Sequence, residues 1–178
     1  AEPMKLGTML ADCALRYPNR EAVVCGTRRV TFSELDRRAS RLANSLLAEG
    51  QAFGDRIALY LPNGAELVEA MAAVARSGGI IVPISTRLTT TEVRYIFDDC
   101  EPSFVFFAPE FREATYEATA GLGPIKLVAI AEPGSGELSF EVAVPAGQGR
   151  ALWLDDPGPL PLGQPRDHRE EEELGGAQ

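Results

Sequence analysis

Histidine is almost missing from this chain: there is one, His168, in a charged carboxy-terminal stretch. Ser-His-Asp and Cys-His nucleophile systems both need an imidazole held in a folded site, so neither chemistry is expected, and His168 reads as a solvated tail residue. Cysteine is scarce too. Cys13, Cys25 and Cys100 are odd in number and widely spaced, which speaks against a disulfide framework or a metal cluster and for small buried thiols in a reducing cytoplasm. Positive charge is in deficit: 17 Lys and Arg stand against 26 Asp and Glu, for a net charge of −9. That balance speaks against nucleic acid and anionic membranes as partners, since both need a basic surface. No apolar run exceeds the length of a strand, so no membrane span is expected. The opening "AEPMKLGTML" lacks the basic flank and long apolar stretch of a secretory leader, and Met4 reads as the native start. Neither phosphate-binding glycine fingerprint, G-x-G-x-x-G or G-x-x-x-x-G-K-[ST], occurs.

What is present is a core's worth of apolar residues, 45% of 178, enough for about one domain. Met9, Leu10, Cys13, Ala14 and Tyr17 recur at helical spacing up to Pro18-Asn19. "EAVVCGTRRVTF" reads as a hairpin turned at Gly26-Thr27. Thr31 and Glu34 have the spacing of a capping box. In the helix behind it Leu35, Ala39, Leu42, Ala43 and Leu46 share one face, from which Arg37, Arg38 and Arg41 fall away. From Asp55 a regular alternation begins. Strands are predicted at 56–61, 80–84, 103–107 and 125–130, and helices near 64–77, 90–99 and 110–120. Asn63 with Glu66 is the expected cap of the first of these helices, and Thr89 with Glu92 that of the second. The strands are continuous apolar runs, so both faces should be buried. Single helices between strands imply a parallel sheet with right-handed crossovers. The fold class is therefore α/β, a mostly parallel sheet with βαβ crossovers flanked by helices.

The organisation expected is an amino-terminal helix, hairpin and capped helix over 1–55, packed on a βαβαβαβ core over 56–130. An irregular segment with short strands ("LSFEVAV", "ALWL") follows over 131–157, and an acidic, disordered tail over 158–178. Gly78-Gly79 follows a helix and precedes a strand, the reverse of a phosphate cradle, and reads as a turn. Asp98-Asp99 and Asp155-Asp156 read as a helix end and a turn. Gly26 to Arg29, though basic, reads as part of the hairpin.

Two stretches taken together resemble a known family. "VTFSELDRRASRLANSLLAEG" is similar to the first core motif of the adenylate-forming (AMP-binding) acyl-CoA synthetases, and "RSGGIIVPISTRLTTTEVRYIFDD" to the second. "DRIALYLPNGAELVEAMAAVARSGG" lies between them, and the resemblance runs over residues 6–108. It implies a ligase that joins ATP and a carboxylate into an acyl-adenylate with release of pyrophosphate, after which the CoA thiol displaces AMP. In that family a Ser/Thr/Gly-rich phosphate loop, an adenine-binding aromatic stretch, a ribose-binding aspartate and a catalytic lysine lie downstream of these motifs, and none has a counterpart here. No residue of this chain is therefore assigned a catalytic, cofactor-binding or metal-binding role. ATP, Mg²⁺ and CoA are implied for the full-length family only, and the carboxylic acid, ATP and CoA become partners only if the missing region is supplied. The expectation is a truncated amino-terminal subdomain, cytoplasmic, inactive alone and prone to self-association through Leu67, Met71, Val74 or "SFVFF". Two alternatives remain open, a non-catalytic interaction or regulatory module on the same scaffold and a ligase half that needs a partner chain.

Overall fold

The computed structural model describes residues 6–131 and 133–140, and within them apolar runs and capped amphipathic segments alternate as predicted. In chain order the elements are α1 (Leu6–Arg16), β1 (Glu21–Cys25), β2 (Arg28–Thr31), α2 (Phe32–Ala48), β3 (Arg56–Tyr60), α3 (Ala65–Ser77), β4 (Ile80–Pro83), α4 (Thr90–Cys100), β5 (Phe104–Phe107), a 3-10 turn (Pro109–Phe111), α5 (Arg112–Thr119), β6 (Lys126–Ala129) and β7 (Leu138–Ser139). β1 and β2 form an antiparallel hairpin. The other strands make one sheet in the order β4-β3-β5-β6-β7, with every pairing parallel. No helix among the described residues is long and apolar enough to cross a membrane.

Successive residues of a strand face opposite sides of a sheet, and here both sides are apolar. Ile57, Leu59, Phe104, Phe106 and Val128 pack with Leu42 and Leu46 of α2 and Ala70, Ala73 and Val74 of α3. Ala58, Tyr60, Val105, Phe107 and Ala129 pack with Val93 and Phe97 of α4 and Ala118 of α5. The hairpin and α1 close over a smaller cluster of Val30, Leu35 and Ala65. Each large side chain buried in this way contributes about 1.5–3 kcal/mol relative to exposure.

Local signals set the helix ends. Thr89 and Glu92 form the complete box: the Thr89 N–H donates to Glu92 Oε2 at 2.8 Å, and the Glu92 N–H donates to Thr89 Oγ1 at 3.4 Å. At α2 the Thr31 hydroxyl accepts from the Glu34 N–H at 3.2 Å. The expected Asn63 cap of α3 is not formed. Extended Gly64 takes the cap position with no side-chain bond, and the Glu66 carboxylate is ion-paired with Arg28. α3 ends at Gly78, left-handed at φ 82°. A Cβ there would lie 2.7 Å from the Phe53 ring, so both the conformation and the close approach call for glycine.

Arg38, off the apolar face of α2, is drawn inward: its side chain is 12% exposed and its Nε lies 2.8 Å from Glu69 Oε1. Three further expectations are corrected. The thiols are free but not buried, since Cys25 at the end of the hairpin strand is exposed and Cys13 and Cys100 are half-buried. β4 is an edge strand, so its burial is partial and Ile80 stays 50% exposed. "SFVFF" is not left uncovered: Phe104 to Phe107 are buried because helices cover both faces, and Val74 is buried with them, whereas Met71 is exposed. Of the irregular segment expected over 131–157, Leu138–Ser139 join the sheet as β7. "ALWL", Asp155-Asp156, His168 and the acidic tail lie outside the described residues.

The amino-terminal elements are tied to the sheet through one buried acid. Glu69 of α3 is 0% exposed. Its Oε1 meets Arg38 of α2 at 2.8 Å and Arg28 of the hairpin at 3.1 Å. Burial pushes the Glu69 carboxyl above its ordinary 4.5, and Arg38 and then Arg28 pull it back only in part. The folded chain therefore keeps a proton on Glu69 at a pH where the unfolded chain has lost it, so this group's contribution weakens as pH rises from 4.5 through the folded value. Urea unfolding of wild type and Glu69→Gln between about pH 4 and about pH 7 is expected to show wild type losing stability relative to the variant as pH rises. A slope of the opposite sign contradicts the assignment. Glu69→Ala strips Arg38 of its counter-charge and is expected to cost about 3 kcal/mol.

Candidate functional site

In an open α/β sheet, ligands settle beyond the carboxyl ends of the strands, at the point where the connections diverge to opposite faces. Here α3 carries the chain from β3 to β4 across one face, and α4 carries it back to β5 across the other. The switch point therefore lies between β3 and β5. Its floor is built by the residues that end those strands. The Tyr60 and Phe111 rings stack with centroids 4.3 Å apart and planes 24° from parallel. The Ala108 N–H donates to the Tyr60 carbonyl at 3.3 Å, which holds the 3-10 turn against β3. Tyr60 is buried, and that burial raises its phenol above the ordinary range. At neutral pH it stays protonated, packed in the core against Phe111. Beyond the end of β4, Ser85 to Arg87 stand exposed. The Tyr60–Phe111 stack thus closes the carboxyl ends of β3 and β5.

Two clefts lie elsewhere. One, of about 210 Å³, opens between the end of α2 and the sheet face formed by Phe106, Val128 and Leu138, with Ser45, Glu49 and Ser139 at its polar side. The other, of about 440 Å³, sits at the amino ends of β5 and β6, between Phe97 and Ile125, with Asp98 and Glu101 in its wall. Two carboxylates there disfavour an anionic ligand.

Among the described residues, those singled out in the sequence do not converge. Gly78-Gly79 is a turn. The Gly79 N–H donates to the Val74 carbonyl at 2.9 Å, and a Cβ at Gly79 would lie 2.9 Å from Val74 and 3.1 Å from Ile57. The amide is used and the space is filled, so this pair does not fit a nucleotide phosphate. Asp98-Asp99 closes the last turn of α4. Gly26 turns the hairpin at φ 58°, while Arg28 reaches Glu66 and Glu69 and Arg29 reaches Glu21. Among the described residues no group of three or more His, Cys, Asp or Glu side chains is placed to hold a metal ion. Gly78-Gly79 is thus no phosphate cradle, and no acidic cluster of the described residues is placed for a divalent cation. Sequence reasoning missed the Arg28, Arg38, Glu66 and Glu69 cluster. The signal was legible in α3: Ala65, Glu69 and Ala73 recur every four residues and are buried together, so a carboxylate stood on an apolar stripe and needed partners.

Comparison with known proteins places this sheet in context. A family profile described as AMP-binding enzyme matches residues 10–160. A medium/long-chain-fatty-acid–CoA/3-oxocholest-4-en-26-oate–CoA ligase of Mycobacterium tuberculosis is 29% identical over 146 residues, covering 78% of this chain and 27% of that protein. The fatty acid–[acyl-carrier-protein] ligase ScoC of Streptomyces coeruleorubidus is 34% identical over 119 residues, covering 67% of this chain and 23% of that one. The solved structure of the anthranilate CoA ligase AuaEII, in complex with anthranoyl-AMP, superposes with a TM-score of 0.75 at 26% identity, over 79% of this chain and 28% of that one. The chain thus spans about a quarter of the length of the curated relatives it matches. With a profile match across most of its residues and a five-stranded parallel sheet shared with adenylate-forming ligases, the chain belongs to the AMP-binding enzyme family.

Proposed function

We propose that this chain forms the amino-terminal scaffold of a cytoplasmic, ATP-dependent acyl-CoA ligase, and that its 178 residues taken alone do not form an acyl-adenylate. The observation that carries the first part is the AMP-binding profile match over residues 10–160 on a parallel sheet flanked by helices. The substrates would be a carboxylic acid, ATP with Mg²⁺, and CoA. The relatives named for medium- and long-chain fatty acids and for a sterol-derived acid make an aliphatic acid the first class to test. The second part rests on charge and geometry. A triphosphate needs several aimed amides and cations, yet the chain carries a net charge of −9 and the Gly79 amide is bonded within the fold. The phosphate-binding and catalytic groups are proposed to come from residues outside these 178.

The division of labour within the chain follows the same reading. Residues 56–129 together with β7 are the sheet unit, and among the described residues 6–55 buttress one face of it through α2 and the Glu69 cluster. Exposed Phe53, Met71 and Ile80 support self-association of the isolated chain, and Pro83, which has no N–H to offer, keeps β4 from recruiting a full strand.

Pyrophosphate exchange with ATP, Mg²⁺ and a panel of fatty and sterol carboxylic acids is expected to stay at the level of a mock-purified control. Acid-dependent exchange above that control would overturn the proposal of inactivity. Light scattering is expected to show oligomers that grow with concentration; a monomer throughout would contradict the self-association.

A further inference from the structure

Neighbouring parallel strands are ordinarily joined by a crossover of roughly a dozen or more residues that packs a helix on the sheet. β6 and β7 break this pattern. They pair in parallel, Val128 with Leu138 and Ala129 with Ser139, although only residues 130–137 separate them. The return is sharp: Ala131, a residue with a Cβ, sits at φ 86°, and Gly136 at φ 81°. A two-residue strand also has too few ladder bonds to hold such a loop in place.

What holds it is a carboxylate. The Glu137 side chain is 0% exposed, and its Oε2 lies 3.1 Å from Arg112 Nη1 on α5. The Tyr116 hydroxyl, also on α5, donates to Glu137 Oε1 at 2.8 Å. The Gly134 N–H donates to Oε2, and the Glu137 N–H donates back to the Gly134 carbonyl at 3.2 Å. Arg112 is itself oriented, its guanidinium 5.7 Å from the centroid of the Phe107 ring. A Cβ at Gly134 would lie 2.9 Å from Arg112 Nη1, so the loop backbone comes as close to the cation as glycine permits. The hydrogen bond to Glu137 raises the Tyr116 phenol above its ordinary range, and burial adds to it. On the other side of the sheet Phe140 is fully buried, edge-on to Phe106 with centroids 6.2 Å apart.

We propose that Glu137 is an electrostatic clasp: its bonds to Arg112, Tyr116 and Gly134 hold the segment 133–140 as a strap along β6, and breaking them releases β7 while the rest of the sheet stays folded. The device has a physical consequence. Leu138 and Ser139 form one side of the cleft of about 210 Å³, so release of the strap opens that apolar cleft and exposes Phe140.

Hydrogen exchange read by mass spectrometry or NMR on the full 178-residue chain tests this, with wild type, Glu137→Ala, Glu137→Gln and Tyr116→Phe. Glu137→Ala is expected to speed exchange of the amides at 138–140 by about tenfold or more, with Ile57–Tyr60 and Phe104–Phe107 unchanged. Glu137→Gln, which keeps an acceptor for Tyr116 but loses the charge, and Tyr116→Phe are expected to fall between. Unaltered exchange at 138–140 in Glu137→Ala overturns the clasp. Acceleration spread equally through β3 and β5 overturns it too, since the carboxylate would then support the whole fold and not a strap.

Discussion

Burial of β3 and β5 on both faces is the constraint from which the rest of this structure follows. Ile57 to Tyr60 and Phe104 to Phe107 are each no more than 2% exposed, so neither face of either strand can be left to solvent. A strand apolar on both sides needs a helix layer on each, and the chain meets this by sending α3 across one face and α4 across the other. The reversal this demands puts the switch point between the same two strands. Core and candidate ligand edge are thus consequences of one pattern of side chains.

The second organising feature is charge inside the protein. Glu69 and Glu137 both have side chains with no exposure, and each is held by arginine, Glu69 by Arg38 and Arg28 and Glu137 by Arg112. Pairs of this kind add little net stability relative to apolar residues, but they are costly to break from one side. They act as registers. Glu69 fixes where the amino-terminal hairpin and α2 sit on α3, and Glu137 fixes where the chain leaves β6. Glu69 sits on α3, whereas Glu137 reaches Arg112 just beyond Phe107, the last residue of β5.

Much of the fold was legible because it is written in local terms. Continuous apolar runs such as "FVFF" can only be central strands, Thr89 and Glu92 mark a helix start, and Gly78 marks a helix end; each of these rests on neighbours in sequence. The misreadings arise where a distant partner decides. Asn63 has the right side chain to cap α3, but Glu66 is drawn away to Arg28, 38 positions earlier, and Gly64 takes the cap position. Arg38 falls off the apolar face of α2, and only the distant Glu69 explains why it is drawn inward. The short strand expected at "LSFEVAV" appears as Leu138–Ser139, but its place beside β6 was not legible, because the neighbouring Glu137 is held by Arg112 and Tyr116 of another element. The family was legible from motif sequence, because its two core motifs are local stretches of chain.

Native-state hydrogen exchange at rising denaturant measures the central constraint directly, because it ranks elements by the free energy needed to open them. Burial on both faces predicts that the amides of Ile57–Tyr60 and Phe104–Phe107 exchange only through global unfolding, with the denaturant dependence of the whole molecule, while the hairpin Glu21–Thr31 opens at lower free energy. Exchange from β3 or β5 ahead of the hairpin would contradict the claim that these two strands carry the fold.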